Sequence, residues 1–133
     1  MKKLFISCPM KGRTEENIKK SMEKMHKMAE IIFDQELEVI PTYIEDTPPE
    51  SVKTQGAWYL GESIKKLAEA DFYIGIEYSE IFKGCEIENG VARCYGIRST
   101  LVNMHDLMPD AAEIQRNWWN SMEKSCTPAP VEG

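Results

Sequence analysis

Apolar residues along the chain fall into two rhythms. Short continuous runs at residues 3–8 (KLFISC), 37–44 (LEVIPTYI), 71–76 (DFYIGI) and 99–104 predict strands. After Asp71 the third run is apolar and rich in β-formers, as expected for a strand covered on both faces. Pro41 places the second run at a sheet edge or ends the strand there. Between the runs, apolar residues recur at three- and four-residue spacing, the mark of helices with one buried face. Ile18, Met22, Met25, Ala29, Ile32 and Phe33 outline a long helix that Thr14 opens. Tyr59, Leu60, Ile64, Leu67 and Ala68 outline a second, from about residue 58 to 70. A third opens near Gly84 in GCEIENGVARCYGI (84–97), and Ile114, Trp118, Trp119 and Met122 outline a last one over 109–124. Residues 45–56, with Pro48-Pro49, predict a surface loop.

Strand–helix alternation of this kind predicts an α/β domain with a mainly parallel sheet of four to five strands. The expected architecture is a Rossmann-like or flavodoxin-like three-layer sandwich over residues 1–125. Residues 126–133 (CTPAPVEG) read as a disordered tail. Ligands on such sheets bind beyond the C-terminal strand ends. The loops at 8–13 and 77–87 both fall there and are expected to be neighbours.

Composition narrows the classes. The 133 residues are 42% hydrophobic and 29% charged, with net charge −6. That charge argues against general nucleic-acid binding, which needs a basic face, but leaves a small anionic ligand open. No apolar run nears the roughly 20 residues of a membrane helix, and Pro9, Lys11 and Arg13 interrupt anything resembling a signal peptide. A cytoplasmic protein without membrane contact is expected. Cys8, Cys85, Cys94 and Cys126 form no C-x-x-C pair, so reduced thiols are expected and no metal site.

The segment 84–97 carries the chemistry of interest. Glu86 and Glu88 are two residues apart and point in different directions on a helix. Gly90 costs about 1 kcal/mol against Ala inside a helix, which points to a close backbone approach or to room for a ligand. Read as lying in the first turn, Glu88 has its ionised form favoured by the helix dipole. An ionised carboxylate in a crevice can attack a sugar carbon that bears a leaving group. Alternatively, both glutamates simply complement the dipole.

Three segments in order, FISCPMKG (5–12), WYLGESIKKLAEAD (58–71) and KGCEIENGVARCYGI (83–97), carry a family resemblance. With the spacing Glu88-x-Gly90-x-Ala92-x-x-x-Gly96 they resemble the nucleoside 2-deoxyribosyltransferase superfamily. That superfamily includes deoxyribosyltransferases and 2'-deoxynucleoside 5'-monophosphate N-glycosidases, and small phage- and mobile-element-associated proteins are placed in it. The resemblance implies that Glu88 is the nucleophile at the deoxyribose anomeric carbon. It implies that Ser7, Cys8, Pro9, Met10, Lys11 and Gly12 form the loop that approaches sugar, base or phosphate. Asp71 matches the aspartate opening the third strand, and Gly84, followed by Cys85, a glycine ahead of the nucleophile. Glu62-Ser63 stands where many relatives place an aspartate that helps the leaving base, so Glu62 is a candidate proton donor. Phe5-Ile6 stands where relatives carry a tyrosine that orients the nucleophile, Cys8 replaces a glycine, and Ile81-Phe82 stand where transferases have an acidic residue. No metal or organic cofactor is implied. The implied partner is a nucleoside or nucleotide, and superfamily members commonly complete their sites across homodimer or higher oligomer contacts. Water as acceptor gives a hydrolase and a second base a transferase. A crevice that holds a nucleotide without turning it over gives a binding protein.

Other residues have two readings each. Lys11, Arg13 and Lys83 suit a phosphate or plain surface charge. Trp58 or Tyr59 suits base stacking or core packing. Trp118-Trp119 suggests a dimer contact. Cys85 reads as a packing residue, and His26 and His105 as a helix-surface and a loop histidine.

Overall fold

Four short runs pair into one parallel sheet. In the computed structural model, which describes residues 1–77 and 81–126, these are β1 (Lys2–Ile6), β2 (Leu37–Val39), β3 (Phe72–Ile76) and β4 (Arg98–Val102). Their order is β2-β1-β3-β4 and every pairing is parallel. The connecting helices are α1 (Glu15–Phe33), α2 (Gln55–Leu67) and α3 (Lys83–Cys94). After β4 come a short α4 (Met104–Leu107) and then α5 (Ala111–Cys126).

Strand alternation sorts the core into two halves. Leu4, Ile6, Phe72, Ile74 and Ile76 face one side and pack with Met25, Ala29 and Phe33 of α1, Leu107 of α4 and Ala111 at the start of α5. Phe5 and Tyr73 face the other side and pack with Leu67 of α2 and Ala92 of α3. The result is the expected α/β three-layer sandwich of Rossmann-like or flavodoxin-like type. No helix among the described residues is long and apolar enough to cross a membrane.

Local chemistry sets the boundaries. The Thr14 hydroxyl accepts from the Asn17 N–H at 3.1 Å and caps α1. Asp34 ends α1 in the left-handed region, at φ 55°. β2 is a short edge strand, because Pro41 has no N–H to continue the ladder; Ile40 N still reaches Leu4 O at 2.9 Å. α2 begins before its apolar stripe, at Gln55 rather than near Trp58. The last helix starts after Pro109, and the intervening turn α4 was not expected. Cys126, expected to open a tail over 126–133, instead closes α5; the rest of that tail and part of the expected loop 77–83 lie outside the described residues.

Candidate active site

The strand order reverses between β1 and β3, so the crevice opens beyond their C-terminal ends. Ser7 follows β1 directly, and its N–H bonds Ile74 O at 2.9 Å. This brings the loop after β1 beside the chain that follows β3, as the topology predicts. A cleft of about 680 Å³ opens there, and Glu88 is part of its lining. Such a volume is typical of small-molecule sites.

Glu88 lies in the second turn of α3, not the first, and is 8% exposed. Its two carboxylate oxygens are held separately. Ser7 Oγ donates to Oε1 at 2.7 Å and Ser63 Oγ donates to Oε2 at 2.6 Å. Ser63 comes from α2, so three elements converge on one carboxylate. Burial pushes its pKa above the ordinary 4.5, and the Ser63 and Ser7 hydroxyls oppose the rise. Desolvation therefore outweighs the two hydroxyl bonds, and the ionised form is not favoured as expected for a first-turn glutamate. Glu86 occupies that first turn and is exposed, so the two glutamates do point apart.

The next residue on α3 fixes the helix against the sheet. Asn89 Nδ2 donates to Ile76 O at 3.1 Å, and its Oδ1 accepts from the Tyr73 hydroxyl. Tyr73 is fully buried and stacks on Phe5, with ring centroids 5.9 Å apart. Its ring needs Gly75, two residues on along the same strand face. A Cβ at Gly75 would come within 2.7 Å of the Tyr73 hydroxyl. Burial pushes the Tyr73 phenol far above its usual value; the nearby Ser7 hydroxyl opposes this and the Glu88 charge adds to it. A tyrosine from β3 thus stands near the carboxylate, while the β1 segment expected to differ from the resembled superfamily is Phe5-Ile6.

The loop after β1 is pinned from below. Gly12 takes a left-handed φ of +78° that favours glycine. The turn carries Arg13 inward, where its guanidinium bonds Asp110 at 2.9 and 3.1 Å. Arg13 also donates to Pro9 O at 2.8 Å, Asn17 O at 3.2 Å and Ser21 Oγ at 2.6 Å. Its side chain is 0% exposed. Arg13 is a buried clamp between this loop and the start of α5, and is not a free phosphate ligand. Lys11 and Lys83 line the cleft and are exposed. They supply its positive rim.

The remaining expected residues divide. Cys8, Met10, Gly84 and Cys85 line the cleft. Pro9 and Gly12 shape the loop and are not part of that lining. Burial pushes the Cys8 thiol up to about 11, with Arg13 opposing, and the Cys85 thiol up to about 12. Both thiols stay protonated near neutrality, which suits packing and not nucleophilic attack. Glu62 is turned away. One residue from Ser63 on α2, its carboxylate meets Lys65 Nζ at 3.1 Å and lines a separate hollow of about 390 Å³ with Glu45 and Lys66. A step of one residue turns about 100° on a helix, so Ser63 and Glu62 cannot both face the cleft. Asp71 precedes β3 and therefore lies at the opposite end of the sheet. Its Oδ2 accepts from Lys3 N at 2.8 Å.

Tyr59 lines the cleft and Trp58 does not. His26 is half-buried on α1, bonded to Leu37 O at 2.9 Å, and His105 sits in α4 at 3.0 Å from Gln115 Oε1. A Cβ at Gly90 would meet nothing within 4 Å, so no close backbone approach explains that glycine. α3 has no side-chain cap at Phe82. Its first N–H groups therefore begin next to Gly84 at the cleft, where an anion is favoured. The sequence reading missed Tyr73 and Asn89. A phenol inside an otherwise apolar strand, with a glycine two residues later, was their visible signal. It also missed the cleft wall formed by Trp118, Ser121 and Met122 of α5. Among the described residues no cluster of three or more His, Cys, Asp or Glu could hold a metal ion.

No family model, curated protein or solved structure matches the chain, so the superfamily resemblance rests on its residues alone.

Proposed function

We propose that the protein cleaves or transfers at the N-glycosidic bond of a 2'-deoxynucleoside or its 5'-monophosphate, with Glu88 as nucleophile. The observation that carries this reading is the Glu88 carboxylate itself. It is buried at a cleft of ligand size, and each oxygen is fixed by one serine hydroxyl. A fixed and partly desolvated carboxylate is oriented for attack and has little solvent to shed. The Oε atom that attacks forms an ester to the anomeric carbon as the C–N bond breaks, and the departing base takes the electron pair and then a proton. Water or a second base then displaces Glu88 from the sugar. Ser7 and Ser63 position the carboxylate, while Lys11, Lys83 and the α3 N-terminus favour an anionic 5'-substituent.

One observation favours a binding protein. Glu88 is the only carboxylic acid among the described residues of the cleft lining, and Glu62 faces elsewhere. Among the described lining residues a leaving base would therefore take its proton from a weaker acid, such as Lys11, Lys83 or Tyr59, or from water.

The test is incubation of wild type and Glu88→Ala with a panel of deoxynucleosides and their 5'-monophosphates, following free base by chromatography. Release by wild type that is lost in Glu88→Ala is expected. No release, with a monophosphate still raising the melting temperature, would establish the binding reading instead.

A further inference from the structure

The apolar stripe of α5 does not stop where the core stops. Ile114 packs against the larger core cluster. Trp118 and Met122, one and two turns further along the same helix face, line the cleft instead. Met122 is 41% exposed and Trp118 is half-buried. A stripe of this kind is normally covered by core; here its second half faces a cavity. The neighbouring Trp119 is 63% exposed and does not line the cleft, so the tandem tryptophans divide between cavity and solvent.

The opposite side of the cleft is also aromatic. Tyr59 and Leu60 reach it from α2, which belongs to the other helical layer. The cleft thus has an indole from one layer and a phenol from the other, with Glu88 reaching the strand ends from α3, in the layer of the phenol. Aromatic faces on two sides of a slot suit a flat π-system, and every nucleobase has such a face.

We infer that Trp118 forms the base-side wall of the cleft. A planar heteroaromatic base stacks on its indole while Glu88 faces the sugar, so α5 completes the site within one chain. The inference deepens the N-glycosidic reading and rests on it. Trp118 is a specificity residue, acting on the base and not on the reacting bond.

The test uses Glu88→Gln protein, which holds substrate without turnover, and calorimetric titration with deoxyadenosine 5'-monophosphate, deoxycytidine 5'-monophosphate and 2-deoxyribose 5-phosphate. Adding Trp118→Ala is expected to weaken both nucleotides about tenfold and to leave the base-free sugar phosphate unchanged. Trp118→Phe keeps a ring and should retain most of the affinity, and Trp119→Ala should change neither. Nucleotide affinity untouched by Trp118→Ala, or nucleotide and sugar phosphate weakened alike, would overturn the inference. Glu88-dependent base release that survives Trp118→Ala at unchanged KM would reject it too, with the role of Glu88 left standing. A wild type that neither binds these nucleotides nor releases base would reject both.

Discussion

Glu88 sits under opposing influences: burial raises its pKa and two serine hydroxyls lower it, with burial the larger. The folded state therefore holds the Glu88 proton more tightly than the unfolded chain does. Below the ordinary 4.5 the group is protonated in both states and costs nothing. As pH rises through 4.5 and on through the raised folded value, stability falls, because the folded state must give up a proton it favours. Glu88→Gln keeps the shape and removes the charge. It should raise the melting temperature at pH 7 and lose that advantage by about pH 4. An equal difference at both pH values would show that the carboxylate carries no such strain. Arg13 has the opposite character, since its charge is fully paired with Asp110 and bonded to main-chain and serine oxygens. Arg13→Ala leaves Asp110 without its partner and should cost about 3–5 kcal/mol in urea unfolding. A loss under about 1 kcal/mol, the worth of an exposed pair, would contradict the clamp.

At the scale of elements, two glycines have opposite roles. Gly90 lies in α3 with open space where a Cβ would stand, so Gly90→Ala should stabilise the protein by about 0.5–1 kcal/mol. At Gly75 the place of a Cβ is taken by the Asn89 amide oxygen and the Tyr73 phenol, and Gly75→Ala should destabilise the protein. Denaturant midpoints of the two variants check both signs; a destabilising Gly90→Ala would mean that something packs on that face. Element type was legible because each run or stripe was long enough to carry its period. The four strands and the helices α1, α2, α3 and α5 were all readable in this way. Boundaries were less so, since apolar stripes start inside helices: α2 begins at Gln55 while its stripe begins at Tyr59. α4, with four residues, is too short to show any period. The same uncertainty in helix start placed Glu88 in a first turn, when it lies in the second.

For the whole molecule, the parallel order β2-β1-β3-β4 brings Ser7 and Glu88, which are 81 residues apart, within 2.7 Å. Half of this was legible, because alternating strands and helices place the loops after β1 and β3 at one sheet end. That same logic, applied to Asp71 ahead of β3, places it at the other end. What was not legible depends on how helices rotate and dock. A sequence cannot show that Ser63 and not Glu62 turns inward. Nor can it show that Arg13 is spent on Asp110, or that Trp118 and Met122 of α5 line the cleft. The central claim is that the sugar passes through Glu88. It is tested most directly by acid-quenching a stoichiometric mixture of protein and the releasing deoxynucleotide, then mapping peptides by mass spectrometry. The account predicts a deoxyribosyl ester on the peptide carrying Glu88 in wild type, formed together with free base, and neither in Glu88→Gln. Base release that continues undiminished in Glu88→Gln would contradict it.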